Sequence, residues 1–215
     1  MILVVQSYET GQPERDGEIA RCIEGNSRIF DRVIALDGNS TRWTFGELAS
    51  ICRNQASPGD VCVVANSDIL FDETIELAEG VLDRCDLISL TRWESPSGPR
   101  MIGHVIDDLL FSGSQDSWIF RAGGLPEVEL SIPLGDVGCD QVIAGWAVSQ
   151  GLRVSDPALS IRTWHHHADR SRADRPILGG RYGYPELTTT HLTGRVFCHD
   201  WTGGGYENAE VCRSN

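Results

Sequence analysis

The run Val61-Cys62-Val63-Val64-Ala65 ends in Asn66-Ser67-Asp68 and is followed by Ile69-Leu70-Phe71-Asp72. A buried strand that delivers a carboxylate to its carboxyl end is a means of holding a hard cation. Mg²⁺ and Mn²⁺ take oxygen ligands, commonly a few carboxylates plus the phosphates of a substrate. The plainer alternative is a polar turn in which Asp68 or Asp72 caps the next helix. Asp72 is read here as the cap and Asp68 as the ligand.

Three further clusters carry candidate chemistry. Trp164-His165-His166-His167 follows a β-like stretch; on an extended backbone His165 and His167 share one face, and either could complete a metal site with Asp68. The competing reading is a solvated polar run. Gly135-Asp136-Val137-Gly138-Cys139-Asp140-Gln141 opens a helix, where the dipole keeps Asp140 ionised as a base or as an acceptor from a sugar hydroxyl, unless it is an ordinary cap. Ser112-Gly113-Ser114-Gln115-Asp116-Ser117-Trp118 joins an amide, an acid and an indole, the groups that grip a sugar's hydroxyls and its apolar face; core packing is the alternative for Trp118.

These residues need elements to position them. Apolar runs predict strands at Ile2–Gln6, Arg32–Leu36, Val61–Ala65 and Leu87–Leu90. Between them, helical spacing predicts helices at Arg15–Gly25, at Phe45–Ile51 with Thr44 and Glu47 as a capping box, and at Asp72–Leu82. Later, Ser117–Phe120 predicts a strand, Asp140–Gln150 a helix, and Leu152–Ser155 and Ser160–Trp164 short strands. Strand–helix alternation with continuous apolar strands implies an α/β fold with a mostly parallel central sheet flanked by helices. Ligands of such sheets bind beyond the carboxyl ends of the strands, which singles out Ser7-Tyr8, Asp37-Gly38 and Asn66-Ser67-Asp68. From Gly179 onward the composition predicts a loop-rich tail.

A chain of 215 residues fits one domain with a full core. Its net charge of −13 argues against a broad nucleic-acid surface, although Arg162, Arg170, Arg172, Arg175 and Arg181 form a local basic cluster. No apolar run is long enough to cross a bilayer, and the first residues read as a buried strand rather than a leader, so a cytoplasmic location is expected. Seven scattered cysteines without a CxxC spacing predict reduced core thiols.

The strand ending Val-Ala-Asn66-Ser67-Asp68-Ile-Leu-Phe-Asp72 resembles the acidic metal motif of GT-A glycosyltransferases, with Asn66 where a first aspartate is usual. Ser114-Gln115-Asp116-Ser117-Trp118, Gly138-Cys139-Asp140-Gln141 and Ile161-Arg162-Thr163-Trp164-His165-His166-His167 resemble, in order and spacing, small GT-A-like proteins of bacteria, phages and large viruses. The likeness spans roughly residues 1–170. It implies a GT-A-like domain over 1–178, with a nucleotide-binding half at 1–90, a sugar and acceptor half at 91–178, and 179–215 as an extension packed on it.

The resemblance further implies that Ser7 and Tyr8 meet the base or ribose, Asp37 the base, and Asn66 and Ser67 the nucleotide. Asp68 would bind Mn²⁺ or Mg²⁺ across the two phosphates with His165 or His167. Gln115, Asp116, Trp118 and Arg162 would line the donor sugar or acceptor, and Asp140 would stand where inverting members place the catalytic base. The expected reaction is sugar transfer from a nucleotide-sugar, UDP-linked by default, to an acceptor hydroxyl. That acceptor could be a hydroxymethylated pyrimidine in phage-type DNA, a glycan or a small molecule. Retention rather than inversion stays open if Asp140 only holds a hydroxyl. Two rivals are a nucleotidyltransferase, for which Ser7 to Arg15 is poor in glycine, and a non-catalytic sugar- or nucleotide-binding module, which the loss of an acid at Asn66 would favour.

Overall fold

A computed structural model of the chain describes residues 1–95, 98–99, 105–106, 109–112, 114–130, 132–136, 138–166, 187–188, 196–199 and 209–212. The first half alternates as expected: β1 (Ile2–Ser7), α1 (Pro13–Asn26), β2 (Arg32–Asp37), α2 (Phe45–Gln55), β3 (Val61–Ala65). Then β4 (Ile69–Phe71), a 3₁₀ turn (Glu73–Leu77) and α3 (Ala78–Val81) precede β5 (Leu87–Thr91). The second half holds β6 (Trp93–Ser95), β7 (Gly98–Pro99), β8 (Val105–Ile106), β9 (Leu109–Ser112) and β10 (Gln115–Arg121). After these come α4 (Cys139–Ser149), β11 (Val154–Ser155) and β12 (Thr163–His165), with β13 (Leu187–Thr188), β14 (Val196–His199) and β15 (Ala209–Cys212) last.

The central sheet has the order β11-β5-β10-β3-β1-β2. β1 is parallel to β2 and β3, and β5 is parallel to β11. β10 runs antiparallel to both β3 and β5, so the sheet is mixed, with one reversed strand at its middle. That reversal matters for position. The beginning of β10, Gln115 and Asp116, lies at the edge where β1, β3 and β5 end.

The strands are continuously apolar because both faces are covered. On one face Val4, Cys62, Val64, Trp118 and Phe120 pack with Phe45 and Leu48 of α2 and Ile143 and Ala147 of α4. On the other, Leu3, Val5, Val63, Ile88 and Ile119 pack with Phe71, Ile75 and Ile161. Each fully buried aliphatic side chain is worth about 1.5–3 kcal/mol against exposure, so this double core anchors the carboxyl edge of the sheet firmly. Gly46 lets α2 approach the 128–130 segment, since a Cβ there would collide with the carbonyl of Val128.

Thr44 and Glu47 form the expected capping box at α2. The helix expected over Asp72–Leu82 is instead a 3₁₀ turn followed by a single α turn. Asp72 does cap it, accepting from the backbone N–H of Thr74 at 2.9 Å. The Thr74 hydroxyl also accepts from the backbone N–H of Arg162 at 2.8 Å, a tertiary tie that holds the first turn tight. Two strands absent from the sequence reading, β4 and β6, are each three residues long, too short to display a period. They continue the ends of β3 and β5 into a second sheet of order β4-β12-β6-β7. β12 enters that sheet between them, antiparallel to β4 and parallel to β6.

Cys22, Cys52, Cys62, Cys85 and Cys139 are free and buried, as expected. No helix among the described residues is long and apolar enough to cross a membrane. The expected boundary at 178 and the arginines at 170, 172, 175 and 181 lie outside the described residues.

Candidate functional site

The carboxyl edge of the sheet is lined by a chain of paired charges. Asp68, in the turn from β3 to β4, is buried and receives two partners on one oxygen. The Arg15 Nη2 lies 2.5 Å from Asp68 Oδ2, and the His165 Nε2 lies 3.1 Å from the same atom. The register of β12 on β4 sets the second contact, because His165 pairs with Ile69, the residue after Asp68. The backbone N–H of His166 donates to the carbonyl of Asp68 at 2.9 Å and clamps the two segments.

From His165 the chain continues through Nδ1, 3.7 Å from Glu94 Oε1 on β6. Glu94 meets the Arg92 guanidinium at 2.9 Å, and Arg92 meets Asp116 Oδ2 at 2.5 Å. Asp116 Oδ1 accepts from Asn66 Nδ2 at 2.6 Å. At the other end Arg15 Nη1 donates to Glu18 at 3.0 Å and to the carbonyl of His166 at 3.1 Å. Four acids and two guanidinium groups alternate here, with His165 between Asp68 and Glu94.

Burial on its own would push the Asp68 carboxyl up. The hydrogen bond and charge of His165, with those of Arg15, outweigh it and hold the carboxyl well below its ordinary value. Burial opposes the Arg15 charge, and Asp68 more than restores it. Beneath the pair, burial and the Asp68 charge push the Cys22 thiol up to about 12, which makes it an inert packing group.

The expected site residues fall into separate places. Asp68 and His165 meet, and Asn66 and Asp116 meet. Ser67 is buried within the same turn, and Gln115 is buried at the start of β10. The carbonyl of Ser7 accepts from Gly38 N–H at 2.7 Å. The Tyr8 ring lies under the Arg42 guanidinium, 5.9 Å from its centroid, and Arg42 bonds Asp136 at 2.9 Å. Asp37, at the end of β2, is exposed and accepts from Asn39 N–H at 2.9 Å. Asp140 stands in the first turn of α4, and the adjacent Cys139 thiol is raised by burial and by the charges of Asp140, Asp116 and Asp136.

One expectation is corrected. Trp118 is wholly buried and packs edge-on against Phe45, so it offers no open face to a sugar; β10 carries it into the α2–α4 core. Arg162 pairs with Asp72 at 3.2 Å and lies over Trp164, whose indole N–H also bonds Asp72. It serves the capped turn. His167 lies outside the described residues.

Arg15, Glu18, Arg92 and Glu94 were not singled out from sequence. Two of them carried a signal. Glu18 sits on the inward stripe of α1 with Ile19 and Cys22, one turn after Arg15, and a buried acid on an apolar face calls for a partner. Arg92 directly follows β5, whose carboxyl end is on the same edge as that of β3.

Among the described residues no group of three or more His, Cys, Asp or Glu side chains is placed to hold a metal ion. Asp68 and His165 place one carboxylate and one imidazole side by side, with Arg15 on the same carboxylate oxygen. The chain matches no protein-family model and no curated protein.

Proposed function

We propose that this chain is a GT-A-like glycosyltransferase that moves a sugar from a nucleotide-diphosphate sugar to an acceptor hydroxyl. The observation that carries the reading is the meeting of Asp68 and His165, 97 residues apart, at the carboxyl edge of a mixed α/β sheet. A strand end, a late strand and a dedicated second sheet are all needed to bring them together. A purely structural ion pair would not require the histidine.

In this reading Asp68 and His165 hold Mn²⁺ or Mg²⁺, which when bound neutralises the departing diphosphate. Tyr8, just after β1, and Arg42, between β2 and α2 and over the Tyr8 ring, offer a stacking face and a cation to the nucleotide. Asp116, fixed by Asn66 and Arg92, accepts from a sugar or acceptor hydroxyl. Asp140 takes the acceptor's proton as that oxygen attacks the anomeric carbon, and such a displacement inverts the anomeric configuration. If Asp140 instead only holds a hydroxyl, retention is the open alternative. The donor is taken to be UDP-linked, and the acceptor a glycan, a small molecule or a hydroxymethylated base in DNA. The charge of −13 weighs against the last unless the late arginines grip the backbone.

A non-catalytic sugar- or nucleotide-binding module on the same fold is the second reading. The pairing of Asp68 with Arg15 favours it, because the acid is satisfied without a ligand. Both readings are tested by incubating the protein with a panel of nucleotide-sugars, with Mn²⁺ or with chelator, and following nucleoside diphosphate release. Metal-dependent release that is lost in Asp68→Ala supports transfer. No release from any donor, with glycan and hydroxymethylated DNA acceptors present, supports the module.

A further inference from the structure

We infer that Trp118 and Ser89 hold one buried water molecule between them, at a hydration site that fixes β10 on β5. The inference is independent of what the carboxyl edge of the sheet binds.

Both side chains are wholly buried. Neither the Trp118 indole Nε1 nor the Ser89 hydroxyl has a hydrogen-bond partner among the described residues. A buried polar group gives up its bonds to solvent, and nearly all such groups in folded proteins regain a partner, from the chain or from an internal water. Register brings these two together. Trp118 of β10 stands directly opposite Ser89 of β5 in the antiparallel pairing, so both side chains project from one face. The residues around them agree on which face it is. Leu87, Trp118 and Phe120 pack with α2 and α4, whereas Ile88, Leu90 and Ile119 pack on the other side.

Directly opposed residues carry Cβ atoms about 4.5–5.5 Å apart. No direct bond joins the indole to the hydroxyl, and one water spans the gap between them. The donor and acceptor types match. The indole N–H can only donate, and the hydroxyl can donate and accept. The water oxygen accepts from Trp118 and the water donates to Ser89 Oγ, which satisfies both groups with the two partners that an internal water needs. Phe45, edge-on to Trp118 with ring centroids 5.6 Å apart, closes this side of the core.

The bridge has work to do in the sheet. The register of β10 on β5 shifts between Gln115 and Ser117, immediately before Trp118, so this strand pair has a second alignment to be held against. A one-residue slip would turn Trp118 to the opposite face and part it from Ser89. The water-bridged pair thereby keeps the register that carries Asp116, two residues earlier, to Asn66.

The test is oxygen-17 magnetic relaxation dispersion, which counts water molecules held long inside a protein. Wild type, Ser89→Val, Trp118→Phe and the double variant are compared, each checked for cooperative unfolding in urea. Each single variant is expected to lose one long-lived water. The double variant is also expected to lose one, because both groups share it. The urea midpoints should be non-additive: each single variant strands one buried polar group, and the double variant strands none, so it should lose less than the two single losses summed. Where a single variant does not fold, the count in wild type against the double variant decides. An unchanged count in a folded variant, the result of a direct Trp118–Ser89 bond, overturns the proposal. Loss of two waters in the double variant overturns the shared site.

Discussion

Asn66 and Asp116 are joined twice. The Asn66 side-chain amide donates to Asp116 Oδ1 at 2.6 Å, and the Asn66 backbone N–H donates to the Asp116 carbonyl at 3.0 Å. This accounts for an amide where the resembled motif has an acid. Asp116 is an acceptor on that side, its other oxygen taken by Arg92, so position 66 must donate. The residue serves as the fixed partner of Asp116.

Asn66→Asp is therefore expected to weaken the protein rather than build a better metal site. Two carboxylates would face each other in a largely buried position, and the lost hydrogen bond to a charged group is worth about 1.5–3 kcal/mol. Chemical denaturation should show the loss, and Mn²⁺ affinity should not rise.

Asp68→Asn removes one of the two acids that pair with the buried Arg15 and leaves only Glu18. Removing one partner of a buried pair costs about 3–5 kcal/mol, and the double variant Arg15→Gln/Asp68→Asn should recover part of it. A double-mutant cycle on unfolding free energies checks this. Additive losses would mean the pair carries no coupling.

The acid limb of stability should belong in part to Asp68. Its folded pKa is lowered from the ordinary 3.8, since His165 and Arg15 outweigh burial. On acidification the unfolded chain takes up the proton first. The contribution is thus complete above about pH 4–5 and is lost as pH falls below that range. Urea unfolding from pH 3 to 7 should show the stability gap between wild type and Asp68→Asn narrowing at the acid end.

Thr44→Ala provides a control remote from the charged chain. It removes the hydroxyl that accepts from Glu47 N–H at 3.2 Å and should cost about 1 kcal/mol without altering Mn²⁺ or nucleotide binding. A change in ligand affinity would tie α2 to the site more closely than its packing indicates.

The elements that repeat were legible residue by residue. Val61–Ala65 is apolar throughout because helices cover both faces, Thr44 and Glu47 announce a helix start, and Asp72 caps the turn that follows β4. Position on the ligand edge followed from the ends of those strands, which is how Asp68 was reached. Periodicity and end signals act over a few neighbours, so one chain carries them openly.

What only the tertiary structure decided is which distant groups share a charge. The reversed β10 brings Asp116 to Asn66, and a three-residue β12 seated between β4 and β6 brings His165 to Asp68. Arg15 and Glu18 reach the same place from α1, and Arg92 and Glu94 from the end of β5. Trp118 went to the core because strand alternation and the packing of Phe45 chose its side. Pairing of this kind depends on strand order and register between segments far apart in sequence, and a charged residue looks the same in the chain whether it ends in water or against its opposite.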